Sequence, residues 1–368
     1  MKKTNFMYAS AIMMAFAFGM VSCEQSQDNP VPTPEPKNPI AEAIENGATL
    51  NDLVANAEFV KDNTLALPAD VIVELANEMS LDAPLTIIAD AEKPATIIAK
   101  AGFVISNKFE LQNVNVNAAE LEAPFISFNP NGSNIKNQDV YTDADAKDYY
   151  LLESINIEGC KIANLKNSFV ATNGNWAVQS LTIKNNIIQL DDAKKNFIAF
   201  DNSGNCWSQN TVIDGNTIYN IAEKGEAYFV RCGNASNAAK IFGKNNGTGV
   251  SEFTLTNNTI INAFGAKQFG NNTPNNSKTT LNVKNNVFVD VYRLNKFIQG
   301  NNTKNIENNF IAIEKTEKVE GADGIATTVE SIGFLSPATA LDLNKENGGL
   351  ALTPTGDAAT AGDPRWIK

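Results

Sequence analysis

Asp139, Asp143, Asp145 and Asp148 crowd one short polar stretch, and carboxylate oxygens at that density are the ligands a Ca2+ ion takes. The stretch lacks the Asp-x-Asp-x-Asp-Gly turn of an EF-hand loop, so a solvated loop competes with a metal site. A second group of residues suits sugars. Trp176 in NGNWAVQ and Trp207 in GNCWSQN are both flanked by Asn and Gly, and Tyr219 and Tyr228 follow. Arg231, in YFVRCGN, lies in the long excursion 219–252. A ring face packs on the apolar face of a pyranose while neighbouring amides and cations take its polar groups. Trp176, Trp207, Tyr228 and Arg231 are therefore the candidate glycan contacts. The competing reading lays both indoles against the flank of the fold and pairs Arg231 with a surface carboxylate. Asp191, Asp192 and Asp201 could meet Asp214 only if folding stacks them on one face.

Composition narrows the chemistry. The 368 residues include no His, so an imidazole base, a His metal ligand and a Ser-His-Asp triad are all excluded. A formal net charge of −12 argues against nucleic acid as a partner, since phosphate neutralisation needs clustered Lys and Arg. Cys160, Cys206 and Cys232 stand at spacings that match no zinc knuckle, and buried small hydrophobes are their expected role.

The fourth cysteine has a different setting. Lys2 and Lys3 precede an apolar stretch, Ala9 to Val21, that is too short to span a bilayer, which needs roughly 20 residues. Met20-Val21-Ser22-Cys23 then resembles a bacterial lipobox, in which Cys23 is lipidated. The five prolines of EQSQDNPVPTPEPKNP, residues 24–39, make a semi-rigid spacer. A lipid on Cys23 would tether the protein to a membrane without any transmembrane helix.

What must position the candidate site residues is a repeat. Leu50, Leu53, Val54 and Ala57 follow a helical spacing behind the capping pair Thr49 and Asp52. After Leu65 the chain turns to short β-branched runs, such as VIVEL at 71–75 and LTIIA at 85–89, which read as strands. From Ser154 a six-residue motif recurs: apolar, any, Asn or Gly, Asn, any, apolar. It runs from Ile157-Glu-Gly-Cys-Lys-Ile162 through Ile183-Lys-Asn-Asn-Ile-Ile188 to Ile306-Glu-Asn-Asn-Phe-Ile311. Its second Asn falls at Asn186, Asn216, Asn258, Asn286 and Asn309, with Cys160 in that place on the first copy. Spacings mostly in the twenties are those of a solenoid, one coil per repeat. The motif then marks a tight turn: one residue at positive φ, and one amide able to hydrogen-bond up and down a stack.

These Asn-pair turns, the amphipathic N-terminal helix, the lipoprotein leader and the terminal Gly362-Asp363-Pro364-Arg365-Trp366 resemble the parallel β-helix lipoproteins of Bacteroidetes. Those proteins are pectate-lyase-like in fold, and most of their domains have no assigned function. The resemblance implies an all-β, right-handed parallel β-helix with an N-terminal capping helix. Among β-helix enzymes, galacturonan hydrolases use Asp clusters supported by His, which this chain lacks. Pectate lyases use Ca2+ with an Arg or Lys base, and no family motif surrounds Arg231 or Arg293, so no catalytic residue is carried over.

The expected organisation is a signal peptide at 1–22, a tether at 23–39, an N-terminal cap at 40–80, a β-helix at 81–330 and a C-terminal cap at 331–368. Three functions follow from it. The favoured one is a non-catalytic, lipid-anchored glycan-binding protein of the cell envelope, an outer-membrane lipoprotein with polysaccharide as its partner. The others are a calcium-dependent lyase acting on an acidic polysaccharide, and a structural or adhesive surface protein. No cofactor is required by the first, and Ca2+ belongs to the second.

Overall fold

Strands two to eleven residues long, rich in Ile, Val, Leu and Thr, wind into a right-handed parallel β-helix. The structure is a computed structural model that describes residues 37–128, 140–142, 148–172, 174–192, 194–201, 206–221, 227–233, 250–263, 269–271, 279–297, 300–313, 324–329, 331–332 and 339–367. The elements described below lie within one unit, Asn38–Lys368. No helix among the described residues is long and apolar enough to cross a membrane.

Each complete coil adds one strand to each of three sheets, here named A, B and C. One coil runs through Trp176–Lys184 in sheet A, Ile187–Leu190 in sheet B and Ile198–Phe200 in sheet C. The next places Cys206–Asp214, Thr217–Asn220 and Val230–Cys232 directly on them, parallel and in register. Among the described residues two pairings are antiparallel: Val60–Lys61 with Thr64–Ala66, and Val140–Thr142 with Asp148–Glu158.

The motif residues build the corner between sheets A and B. Its first position has positive φ in every copy: Gly159 (68°), Asn185 (55°), Gly215 (65°), Asn257 (55°), Asn285 (54°) and Asn308 (51°). Glycine and asparagine adopt this left-handed conformation at the lowest cost. The second position is a buried amide stack. Asn216 Oδ1 accepts from the backbone N–H of Asn186 at 2.9 Å and from its Nδ2 at 3.0 Å. Asn258, Asn286 and Asn309 repeat the pattern on the coils beyond. Each Nδ2 also donates to a backbone carbonyl one coil back, for instance Asn216 to Ile183 at 2.8 Å. Cys160 heads the stack, its backbone N–H donating to Asn186 Oδ1 at 2.9 Å. The Cys160 thiol keeps the backbone half of the pattern, accepting from the Val114 N–H and donating to the Leu111 carbonyl one coil back at 3.6 Å, but it carries no side-chain amide, so the amide ladder ends there.

Inside the coils the apolar residues form one cluster, and within it Phe125, Phe169, Phe197, Phe229 and Phe269 stack at 4.6–5.7 Å between ring centroids. Outside them the sheets differ. Sheet A strands alternate buried and half-buried positions, as in Thr279–Lys284, so one of their faces meets solvent. The sheet B strands Ile187–Leu190 and Thr217–Asn220 are buried at every position, which requires a cover on the outer face.

That cover is the C-terminal segment, and it corrects the expectation that 331–368 closes the end of the solenoid. Residues 339–367 lie along sheet B instead. Leu341, Leu350, Leu352, Ala358 and Trp366 pack on Ala163, Ile187, Tyr219, Ile261 and Val287 in a second apolar cluster. Polar anchors fix the segment rung by rung: Leu341 N–H donates to Gln189 Oε1 at 2.6 Å, and Lys161 Nζ donates to the carbonyls of Leu343 (2.7 Å) and Lys345 (2.9 Å). At its end the Asp363 carboxylate accepts from Thr217 Oγ1 at 2.6 Å. Trp366 Nε1 donates to the same hydroxyl at 2.7 Å.

The N-terminal end also differs from expectation. Two short helices, α1 (Pro39–Glu45) and α2 (Leu50–Ala55), replace one. Thr49 and Asp52 form the expected capping box, and Leu50 and Leu53 join the interior cluster. The first coil starts earlier than residue 81. Thr64–Ala66, Ile72–Leu75 and Met79–Leu81 already pair in parallel with the next coil in sheets A, B and C. This coil turns its A–B corner through a longer loop with Asp70 at positive φ, without an Asn pair, so the motif does not mark it.

Candidate functional site

Sheet C offers an open cleft of about 450 Å³ on its outer face. Its floor is built by register. Ala171, Ala199 and Arg231 occupy the same position on three successive coils, and the two alanines lie outside the interior cluster as a recessed shelf at the floor of the cleft, only 2% and 6% exposed. Arg231 stands at the end of that shelf, its side chain 44% exposed. The loops between sheets B and C supply the wall: Asn167, Ser168, Lys194, Lys195 and Asn196.

The polar groups of the cleft are tied together. Arg231 Nε pairs with Asp201 Oδ2 at 3.0 Å, and the guanidinium lies over the Tyr228 ring, 5.4 Å from its centroid. Asn196 Nδ2 donates to Asp201 Oδ1 at 3.5 Å, and Asn196 Oδ1 accepts from the Tyr228 backbone N–H at 3.2 Å. One amide therefore holds both groups that hold the arginine. Lys194 pairs with Asp192 at 3.3 Å with both side chains well exposed, a contact worth little in water.

A second cleft, of about 620 Å³, lies between the C-terminal segment and the A–B corners, lined by Asp70, Glu92, Asn115, Lys161, Lys345 and Arg365 among others. Two of its three cations, Lys161 and Arg365, are used by the fold, and the exposed Lys345 pairs with Asp342 at 3.3 Å. Lys161 is spent on the Leu343 and Lys345 carbonyls, and burial lowers its pKa. Arg365 is spent on Asp363 and on the Asn186 and Gly215 carbonyls. The sheet C cleft has charge to offer a ligand.

Of the expected glycan contacts, Tyr228 and Arg231 meet at this cleft and the two tryptophans do not. Trp176 is fully buried, with its ring 5.3 Å from those of Phe128 and Tyr150. Trp207 is fully buried too, stacked on Phe253 at 5.8 Å with its indole N–H donating to Ser251 Oγ at 3.2 Å. Both sit at the start of a sheet A strand where three successive residues are buried, Trp176–Val178 and Cys206–Ser208. Asp139, Asp143 and Asp145 lie outside the described residues. Asp148 begins a sheet A strand, and its side chain is likewise not described. Among the described residues no group of three or more acidic or Cys side chains is placed to hold a metal. Asp201 and Asp214 do not meet: Asp201 serves Arg231, whereas Asp214 accepts from Thr256 Oγ1 and Asn257 Nδ2 at the A–B corner. Cys160, Cys206 and Cys232 are free and buried, as expected. Cys23 lies outside the described residues.

Sequence reasoning missed Lys194, Lys195, Asn196 and Asn167 as cleft residues. The available signal was the Lys-Lys-Asn run directly before the Phe197 strand, one coil below Arg231.

Residues 74–221 match the family model Domain of unknown function (DUF4957). The match covers coils from the first sheet B strand through the Asn216 corner, less than half of the chain, and includes the shelf alanines but not Arg231. No curated protein and no solved structure matches the chain.

Proposed function

We propose that the protein is a lipid-anchored cell-envelope lipoprotein of the Bacteroidetes type that binds a polysaccharide without cleaving it, the sugar lying in the cleft on sheet C. The observation that carries the reading is the cleft itself. Asn and Ser side chains and three cations surround a recess floored by two small, nearly buried alanines, and they are placed to take the hydroxyl and acidic groups of a sugar. A solenoid face suits an extended polymer, because successive coils present one register of groups along its length. The anchor rests on Met20-Val21-Ser22-Cys23 and the proline-rich spacer behind it. Such a tether would hold the folded domain off the membrane to which the lipid anchors it.

Affinity electrophoresis of the full-length protein, through gels carrying different polysaccharides with and without calcium, tests the binding. Retardation in one or a few gels is expected. Loss of polymer along the lane would transfer the reading to a lyase, and unchanged mobility in every gel would end it. The anchor has its own test: Cys23→Ala should move the protein from the membrane fraction to the soluble fraction, and an unchanged distribution would remove the lipid from the account.

A further inference from the structure

The cleft on sheet C concentrates positive charge on a molecule whose formal net charge is −12. We infer that the glycan it takes is anionic, and that the ligand's carboxylate or sulfate is received by the two terminal nitrogens of Arg231, with Asp201 and Tyr228 acting as positioning residues. The inference rests on reading the cleft as a glycan site.

The geometry argues from the arginine outward. Asp201 engages Nε alone, and the ring of Tyr228 supports one face of the guanidinium. The terminal Nη groups have no hydrogen-bond partner among the described residues, and they form the edge that grips an oxyanion with two parallel bonds. An arginine meant only to neutralise Asp201 would gain nothing from a third residue that fixes both of its supports. Asn196 does so here, bonded to Asp201 on one side and to the Tyr228 backbone on the other. Asp201 is only 17% exposed, so its charge is spent on Arg231 and is little available to repel a ligand. Lys195 has no ion pair among the described residues, and Lys194 has only its exposed pair with Asp192. The small residues Ala171 and Ala199 stand on the two rungs before Arg231, about 5 Å each, so a ring seated in the cleft above them spans the distance from the Asn167 wall to the guanidinium.

The test compares full-length wild type with variants in gels and in titration calorimetry against three polymers: polygalacturonate for carboxylate, dextran sulfate for sulfate and unsubstituted dextran as the neutral control. Retention on at least one anionic polymer is expected, weakened about tenfold or more by Arg231→Ala and also weakened by high salt. Polygalacturonate or dextran sulfate, whichever is bound, names the acidic group. Arg231→Lys keeps the charge and loses the fork, and should still bind severalfold more weakly than wild type. Asp201→Asn gives the decisive sign. It removes a negative charge from the cleft, so simple attraction would tighten binding, whereas a positioning role loosens it; tighter binding overturns the role given to Asp201. Retention on dextran alone, indifferent to salt and to Arg231→Ala, would overturn the anionic ligand and leave the glycan reading standing. No retention on any polysaccharide would overturn both. Arg231 is half-exposed at a sheet surface, so its variants should fold, with matching thermal melts as the control.

Discussion

An asparagine in the corner ladder does the work of two residues: on the preceding coil its oxygen satisfies a backbone N–H and its nitrogen a backbone carbonyl, while the same nitrogen also donates to the next asparagine of the stack. Asn216→Ala would leave the buried backbone N–H of Asn186 and the Ile183 carbonyl unpaired. Each orphaned group costs about 1–3 kcal/mol, so the variant should lose roughly 3 kcal/mol in urea unfolding; an unchanged midpoint would show the ladder to be ornamental. The buried tryptophans carry a different expectation. Trp207→Ala removes a fully buried indole and should cost about 3–5 kcal/mol, so any loss of binding in that variant reports unfolding and not contact. The thiols make a third test. Burial pushes Cys160 up to about 12 and raises Cys206 and Cys232 well above the ordinary thiol value. Thiolate is the reactive form, so all three should resist a thiol reagent at mildly alkaline pH until the protein is denatured. Because its pKa is raised in the folded state, the contribution of Cys160 to stability is intact below about 9 and is lost as pH climbs towards about 12, and Cys206 and Cys232 follow in the same direction. Prompt modification of the native protein would contradict the burial.

At the scale of elements, the structure shows which features a single chain displays and which it conceals. The A–B corner was legible because its demands are local: a residue at positive φ and then an amide, both inside one six-residue motif. The helix cap was legible for the same reason, since Thr49 and Asp52 are three residues apart. The first coil was hidden because it reaches the same fold through a looser corner at Asp70. The tryptophans misled because composition around a residue says nothing of what covers it: Trp176 and Trp207 fall one register position apart, in strand starts buried at three successive residues, so neither neighbours nor alternation announces their burial. The cleft was half visible. Arg231 and Tyr228 lie three residues apart, but Ala171 and Ala199 join them only when coils of unequal length are stacked. The C-terminal segment was the least legible element, since its partners are far away in the chain: Leu343 meets Asn115, and Arg365 meets Asn186. Its terminal residues were noted only for their likeness to other endings. Their work is now physical. Gly362 (φ 92°) fits against Thr259 and Val287 where a side chain would collide, and Asp363, Arg365 and Trp366 bond to the coils around it. Trp366→Ala should therefore cost about 3–5 kcal/mol and expose the outer face of sheet B to an apolar dye, while leaving the corner ladder intact.

At the scale of the whole molecule, the C-terminal segment changes the kind of solenoid this is. In an open solenoid each coil touches only its neighbours, so stability is a sum of local terms and ends can fray independently. Here one segment bonds to Asn115 and Lys161 near one end of its path, to Gln189 and Thr217 in the middle, and to Thr259 and Asn285 beyond them. Coils separated by more than a hundred residues therefore share a partner, and none of them can unwind without loosening the contacts of the others. The cleft gains from this, because its shelf and its arginine come from three different coils whose register must hold to within a fraction of a rung. Removing residues 339–368 should do more than lower stability. It should convert one cooperative unfolding transition into a broader or stepwise one, with amide exchange rising first in the sheet B strands that the segment covers. It should also weaken polysaccharide retention, although no residue of the cleft has been touched. A truncated protein that still melts in one sharp transition, with sheet B amides protected as before, would mean that the coils hold their register by nearest-neighbour contacts alone.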